Sequence, residues 1–361
     1  MLIRFFTVLI LVCTINIAHA GEFSKGVEVK QKAGVAVERL KTWHREGRDA
    51  SEIVPMMQQV KVLGVAGKID EANELLDRIL LKFDEPASTS PVTETRLYDN
   101  PKKVRIIGYN SNAMEPFISR DGKYLFFNDK TKGNKDIFYA THIDDFTFKF
   151  MGEVKGINTN EVDGVPSMDK DNNFYYVSTG EYKAPKFNTL YRGKFQDGEV
   201  TNIIALDELS IRKSGWLNMD AEISKDGNTL YSTINYFSGK LFPDNSTFFI
   251  ANKQKDGSFK EAKNSKAIFK NINTDNFLEY AASISSDGLK IFFTKGNIKT
   301  KQLSSFIATR SNKNAPFSKP EKLTAITGLS EAPAITDDEK LLYYHYLDGK
   351  YFSIYALTKI K

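Results

Sequence analysis

The sequence predicts a mostly β protein: a five-bladed β-propeller over residues 102–361, closed by an N-terminal strand and preceded by a small α-helical hairpin subdomain. One unit recurs five times, each time as an aspartate in a turn followed by a short apolar strand. The turn aspartates lie 50 to 61 residues apart, and they define repeats 1 to 5. They are Asp121, Asp171, Asp226, Asp287 and Asp338. A period of this length indicates an array of one supersecondary unit, such as a propeller.

Strands follow from the columns that appear when the repeats are aligned on these aspartates. Five positions after each aspartate stands an aromatic residue: Phe126, Tyr176, Tyr231, Phe292 and Tyr343. Apolar, β-prone residues in adjacent columns predict strands buried on both faces. A second strand follows in each repeat at Asp136–Thr141, Thr189–Arg192, Thr247–Ala251, Ser305–Thr309 and Ser353–Leu357. An outer strand follows in repeats 1 to 4 at Phe150–Ile157, Glu199–Leu206, Phe259–Phe269 and Lys319–Ile326.

Repeat 5 has no outer strand, because the chain ends soon after its second one. A matching segment, Lys102–Ile107, precedes repeat 1. We expect it to complete the last blade and close the ring, which removes exposed strand edges. Six blades is the alternative, if Ser232–Thr247 or Ala262–Asn276 contains a degenerate repeat.

A sequence motif accompanies the repeats. It consists of Asn-Thr or Asn-Ser, a short gap, an acid, then Pro-x-x-Ser-x-Asp-Gly and an apolar strand, as from Asn112 to Gly122. This pattern resembles the WD40-like (PD40) propeller repeat of the TolB type over residues 102–361. The resemblance implies a propeller, although TolB propellers generally have six blades. It implies little about function, because this fold hosts many activities.

The N-terminus predicts export. Met1–Ala20 has an early Arg4, an apolar run and Ala-His-Ala before Gly21, which is typical of a secretory signal peptide cleaved after Ala20. A membrane anchor is the competing interpretation, but the apolar run is short for a bilayer span. We therefore expect a periplasmic or secreted protein without a stable membrane span. Its only cysteine, Cys13, lies in the signal, so the mature chain has no disulfide.

Residues 21–85 show helical periodicity, and Gly67–Leu80 resembles the second part of a tetratricopeptide helix pair. Residues 86–101 are rich in Pro, Ser and Thr, which predicts a linker. Propeller loops and the helical hairpin would both suit contact with an envelope or secreted protein partner. The formal net charge is +5, with no basic run or stripe, which argues against nucleic acid as a partner.

Motifs of known catalytic mechanism are missing from the sequence. It contains no Gly-x-Ser-x-Gly elbow, no phosphate-binding Gly-x-x-x-x-Gly-Lys loop and no His-Glu-x-x-His. His345 aligns with Asn128, Ser178, Thr233 and Thr294 in the other repeats, so we interpret it first as a member of a structural column.

An acid precedes each inner strand: Glu115, Asp163, Asp220, Glu279 and Glu331. In a propeller the starts of the inner strands surround the axial channel, so three roles stay open for these carboxylates. They could cap backbone N–H groups within their blades. They could bind a ligand or a cation, for which Ca²⁺ suits hard oxygen ligands. They could also supply an acid/base pair, since some five-bladed sugar-cleaving enzymes use carboxylates around the axis.

The sequence favours an exported, non-catalytic binding or scaffold protein, because the repeats are clear and catalytic motifs are missing. The alternative is a carbohydrate-active enzyme, of glycosidase or lyase type, that uses the axial carboxylates. A third hypothesis is a sensor of a small ligand or cation.

Overall fold

The computed structural model describes residues 20–45, 53–84, 93–131, 134–239, 242–274, 277–298, 300 and 302–360. The chain divides into two compact units, Met1–Pro91 and Val92–Lys361. The predicted signal peptide lies outside the described residues except for Ala20, so it stays a prediction. Among the helices that are described, none is long and apolar enough to cross a membrane.

The first unit contains three helices in its described part: α1 Ala20–Arg45, α2 Ile53–Val65 and α3 Ile69–Asp84. Acids in the first turn of α3 and Lys82 in its last turn complement the helix dipole. The helices share one core, whose fully buried members include Ala36, Ala72, Leu76 and Ile79. The described part of the predicted helical subdomain therefore contains three helices that pack around one core, while Val62, Val65 and Leu81 remain exposed.

The second unit is built from antiparallel meanders, one for each sequence repeat. In repeat 1 the strands are β4 Met114–Ile118, β5 Tyr124–Thr131, β6 Asn134–Asp144 and β7 Thr147–Glu153. In repeat 2 they are β8 Asp163–Met168, β9 Asn173–Ser178, β10 Leu190–Gln196 and β11 Glu199–Ala205. The innermost strand of each meander is the one that precedes the turn aspartate.

Repeats 3 to 5 follow the same order. In repeat 3 the strands are β12 Trp216–Asn218, β13 Glu222–Ile223, β14 Thr229–Tyr236, β15 Asn245–Lys253 and β16 Phe259–Glu261. In repeat 4 they are β17 Phe277–Ile284, β18 Lys290–Asn297, β19 Leu303–Thr309 and β20 Glu321–Leu323. In repeat 5 they are β21 Ser330–Ile335, β22 Leu341–Asp348 and β23 Tyr351–Lys359. The predicted outer strand Phe259–Phe269 is only three residues long, and the chain then forms a short helix, α4, over Ser265–Ile268.

The missing outer strand of repeat 5 is supplied from the N-terminal side. Strand β2, Tyr98–Lys103, pairs antiparallel with β23. The predicted closing segment is thus correct only in its first half, because β3, Arg105–Ile107, leaves repeat 5 and pairs in parallel with β7 of repeat 1. The register of the β2–β23 pair shifts at Pro101, which has no backbone N–H to donate.

The C-terminal part of the predicted linker is also strand. Besides β2, the short strand β1 at Glu94–Thr95 pairs with β20 of repeat 4. Tyr98 is buried against Phe292, and its hydroxyl donates to the Glu339 carbonyl at 3.0 Å. The composition of this segment suggested a linker because most of its residues are polar. One buried aromatic side chain and backbone pairing are nevertheless enough to hold it in place.

The turns explain why aspartate anchors each repeat. In repeat 1, Asp121 accepts the Ser119 hydroxyl at 2.7 Å and the Lys123 N–H at 3.1 Å, which closes the turn with side-chain bonds. Gly122 follows with φ of 74°, in the left-handed region. In repeats 2 and 5, Asn172 and Glu339 adopt the same backbone at φ of 60° and 57°.

Replacing Tyr98 by Ala tests how far β2 holds the second unit together. We expect Y98A to lower the free energy of unfolding by about 3–5 kcal/mol, because it leaves a cavity beside Phe292 and removes the bond to Glu339. Y98F should cost only about 0.5–1.5 kcal/mol, since it removes the hydroxyl alone. Urea unfolding of the full chain measures both, with Y351A at an exposed tyrosine as the control. A Y98A loss no larger than that of Y351A would contradict the role given to β2.

Candidate functional site

Four inner strands share one backbone irregularity, six residues before the turn aspartate. There the strand bulges, and non-glycine residues adopt positive φ: Glu115 at 50°, Val165 at 51°, Ala281 at 54° and Ala332 at 54°. Side chains other than glycine rarely adopt this conformation, and bulges often lie beside active sites. In repeat 3 the ladder is interrupted at the same place, between β12 and β13, where Asp220 stands.

Each bulged residue donates its backbone N–H to a side chain of the preceding repeat, and we call these contacts the seam bonds. Their donors and acceptors are Val165 N to Asn128 Oδ1 (3.2 Å), Ala281 N to Asp220 Oδ2 (2.8 Å), Ala332 N to Thr294 Oγ1 (2.9 Å) and Glu115 N to His345 Nδ1 (3.1 Å). The last of these joins repeat 5 to repeat 1. Three of these acceptors, Asn128, Thr294 and His345, stand seven residues after their turn aspartates and so occupy one column of the aligned repeats.

Residues of the inner strands line a small, partly open cavity of about 30 Å³. Its wall includes Glu115 and Phe117 of repeat 1, Ser167 of repeat 2, Glu222 of repeat 3 and Ser283 of repeat 4. A cavity of this volume holds a water molecule or one small substituent, but not a sugar ring. A saccharide would therefore have to bind outside it.

Beside the cavity, a buried ion pair ties repeats 1 and 3. Arg120 Nη2 lies 3.0 Å from Glu222 Oε1 and donates to the Ile223 carbonyl at 2.7 Å. Glu222 also accepts the Ser167 hydroxyl at 2.8 Å and the Ile284 N–H at 3.0 Å. Sequence reasoning missed Glu222, although it aligns with Ser167 and Ser283 and is the only acid in that column. Its saturated contacts make it a structural clamp.

Three of the five predicted acids are buried inside their own seams. Asp163 accepts the Thr159 N–H at 2.6 Å and its hydroxyl at 2.8 Å, and burial raises the pKa of the Asp163 carboxyl. Glu279 accepts the Thr274 hydroxyl at 2.9 Å and lies 3.3 Å from Lys295 Nζ. Burial raises the pKa of Glu279 to about 7 and that of Asp220 to about 7. These contacts fit the capping interpretation.

Glu115 and Glu331 are different, because each residue keeps some exposed surface and the charge of Glu115 acts on Glu331. Burial works to raise the pKa of Glu115, but Lys135 at 2.6 Å outweighs it and holds that pKa below the usual glutamate value. Burial raises the pKa of Glu331, and the charge of Glu115 raises it further. The Tyr280 hydroxyl donates to Glu331 Oε2 at 2.7 Å. The seam between repeats 5 and 1 thus holds one ionised carboxylate beside one carboxyl that keeps its proton more easily.

The predicted ring of metal ligands does not form in the part of the chain that the structure describes. No group of three or more His, Cys, Asp or Glu side chains there could hold a metal ion. The five acids stand six, seven or eight residues before their turn aspartates, and several accept hydrogen bonds from protein donors. Binding of Ca²⁺ stays a prediction.

Comparisons with known proteins give likenesses of structure. A scan against protein-family models and a search of curated proteins return no match. A solved structure titled "Glycoside hydrolase" matches at a TM-score of 0.52 and 13% identity, over 79% of this chain and 95% of that chain. An endo-arabinase from Bacteroides thetaiotaomicron matches at 0.47 and 15%, over 72% and 98%. TolB from Acinetobacter baumannii matches at 0.40 and 15%, over 70% of this chain and 55% of TolB.

At these identities the likenesses show the fold alone. The chain is mostly β with propeller-like neighbours, so the predicted fold class is confirmed at that level. The predicted non-catalytic binding or scaffold role is corrected. A glycoside hydrolase is among the structures that share the fold, and together with the Glu115–Glu331 pair this favours the carbohydrate-active alternative.

The Arg120–Glu222 clamp yields a stability prediction. We expect R120M to lower the free energy of unfolding by about 3–5 kcal/mol, because it leaves the Glu222 carboxylate buried without its cation. Adding E222Q should recover part of that loss, since the neutral amide needs no counter-charge. Urea unfolding of both variants measures this, with K340M at the exposed Lys340–Asp338 pair as the control. If R120M and K340M unfold at the same urea concentration, the Arg120–Glu222 pair does not contribute the predicted free energy of unfolding.

Proposed function

We propose that the second unit is a carbohydrate-active enzyme that hydrolyses a glycosidic bond at the seam between repeats 5 and 1. The observation that carries the proposal is the Glu115–Glu331 pair, in which neighbouring carboxyls have pKa values shifted in opposite directions. Two carboxyls pushed apart in this way can serve as acid and base in one reaction. The likeness to a glycoside hydrolase supports the proposal at the level of the fold.

The environment assigns a role to each carboxyl. Glu331, whose proton is held by burial, acts as the general acid and protonates the departing glycosidic oxygen. Glu115, ionised beside Lys135, either attacks the anomeric carbon or removes a proton from the attacking water. A separation of about 5–5.5 Å between the two carboxyl groups predicts retention of configuration, and about 6.5–9.5 Å predicts inversion.

Two neighbouring groups support this division. Tyr280 donates to Glu331 Oε2, which fixes the orientation of the acid and leaves Oε1 to carry the proton to the substrate. The pKa of Tyr280 is raised well above its ordinary value, mainly by burial and by the charge of Glu331, so it stays a donor. Because the adjoining cavity accepts only a water molecule or one small substituent, the sugar ring binds at its mouth.

The finer architecture belongs to the same proposal. We infer five blades, because five inner strands with corresponding turns are paired in order, and the seam bond from Glu115 to His345 and the β2–β23 pair both link the last repeat to the first. We also propose membership of the WD40-like (PD40) repeat class, a tetratricopeptide-like character for the helices, and export through the predicted signal at residues 1–20. Contact with an envelope or secreted protein stays a prediction.

Charge-neutral substitutions of the pair test the activity. We expect E331Q and E115Q each to lower kcat by about 10²–10⁴-fold on a glycan that the unaltered chain cleaves, as loss of a general acid or base does. The first substrates to assay are arabinan and aryl arabinofuranosides, with other polysaccharides as the wider panel, and reducing-sugar release is the measurement. Glu161, an exposed acid near the start of β8, provides the control E161Q, which should keep full activity.

The pH profile tests the roles separately. Because the pKa of Glu115 is lowered and that of Glu331 is raised, activity should fall on the acid side as Glu115 is protonated and on the alkaline side as Glu331 loses its proton. E115Q should remove the acid limb from the residual activity, and E331Q the alkaline limb. No hydrolysis across the panel by the folded, unaltered chain would overturn the proposed function.

A further inference from the structure

One seam differs from the others in the chemistry of its acceptor. The bulged N–H groups of repeats 2, 4 and 5 bind an amide, a carboxylate and a hydroxyl oxygen, from Asn128, Asp220 and Thr294 respectively. At the seam between repeats 5 and 1 the acceptor is an imidazole nitrogen, His345 Nδ1. The residue that donates to it is Glu115. The one imidazole among these four acceptors thus serves the bulge that carries the proposed catalytic carboxylate.

We propose that His345 is a positioning residue: its neutral imidazole accepts the Glu115 N–H, holds the left-handed backbone at Glu115, and so keeps the Glu115 carboxylate against Lys135. The hydrogen bond itself is independent of any activity. The consequence for catalysis rests on the proposed function of Glu115.

The surroundings of His345 fix its orientation and its tautomer. His345 is 3% exposed, and its ring makes a T-shaped contact with the Phe352 ring. The ring centroids lie 5.1 Å apart and the interplanar angle is 84°. Since Nδ1 accepts a hydrogen bond in the neutral ring, the ring proton is assigned to Nε2. At Glu115, φ of 50° is a conformation that a glutamate adopts only when its surroundings hold it there. The imidazole supplies that restraint from the neighbouring repeat.

Protonation would remove the restraint. An imidazolium has N–H at both ring nitrogens, so Nδ1 could no longer accept from Glu115. The charged and titratable groups around the ring are Glu115, Lys135 and Glu331, the last of which pairs with His345 across the β21–β22 ladder. Burial lowers the pKa of His345 to about 4, while Glu115 raises it and Lys135 lowers it.

The sign of the pH effect follows from this shift. The folded pKa of His345 lies below its unfolded value of about 6.5, so between those values the unfolded chain binds more protons. The stability that the neutral ring contributes is complete above about pH 6.5 and is lost as the pH falls towards 4. Loss of the seam bond should release Glu115 over the same range.

Three variants of the full chain test the proposal. H345N keeps an acceptor without a titrating group, as Asn128 does at the next seam. H345A removes the acceptor, and T294A removes the equivalent bond at the seam between repeats 4 and 5 as a matched control. The measurements are urea unfolding from pH 4 to 7 and the carboxyl titration of Glu115 followed by ¹³C NMR.

We expect H345A to raise the pKa of Glu115 by about one unit, a tenfold change in proton affinity, because its carboxylate moves away from Lys135. T294A should destabilise the chain and leave that pKa unchanged. H345N should restore the titration of Glu115 and flatten the loss of stability between pH 6.5 and 4. The same Glu115 titration in H345A and T294A, or an unchanged pH slope in H345N, would overturn the proposal.

These measurements need no catalysis, so they separate the two proposals. A shifted Glu115 in H345A, in a chain that cleaves no glycan, would support the positioning role and overturn the proposed function. In an active chain, H345A should lower kcat and move the acid limb of the pH profile upward, and H345N should restore both. If H345A does not fold, the pH slope and the Glu115 titration of H345N decide the matter alone.

Discussion

The structure of the second unit depends on how it accepts the backbone N–H groups that its bulges release. A bulge removes a residue from the strand ladder, and a buried N–H without an acceptor is costly. Here the acceptor comes from the neighbouring repeat, at four of the seams. A deeper tier, two residues further along the inner strands, repeats the arrangement with Ser167, Glu222 and Ser283, which accept N–H groups of the following repeat at 2.9, 3.0 and 3.1 Å. Side chain to backbone bonds thus join neighbouring repeats, in addition to strand pairing such as that of β15 with β17 between repeats 3 and 4.

This dependence explains which parts of the structure were predictable. Turn aspartates and aromatic columns determine local structure, and both are visible in one sequence, so the strands near Asp121 and its counterparts were placed well. The end of the segment Lys102–Ile107 was placed less well, because β3 changes partner and pairs with β7 of repeat 1, and the sequence of the segment does not mark that change. Similarly, Tyr98 gave no sign of its burial within a segment of linker-like composition.

The candidate site shows a different limit. All five predicted acids stand near the starts of inner strands, yet residue type alone could not separate Asp163 or Glu279, which are fully buried, from Glu115 and Glu331, which are less so. The distinction arises from the neighbours of each carboxylate, because Asp220 and Glu115 stand at the same offset and yet have different partners. Alignment on the aspartates could have found Glu222, because it is the one charged residue in a column otherwise formed by small or apolar side chains.

The departures from the repeat pattern lie together, at the seam between repeats 5 and 1. The deeper tier of acceptors lapses in repeats 5 and 1, where Ala334 and Phe117 occupy the column of Ser167 and Ser283. Beside that lapse the outer tier changes too, with a histidine as acceptor and two carboxyls whose pKa values are shifted in opposite directions. The junctions with amide, carboxylate and hydroxyl acceptors hold neighbouring repeats together, which allows the junction between repeats 5 and 1 to combine an imidazole acceptor with two interacting carboxyls.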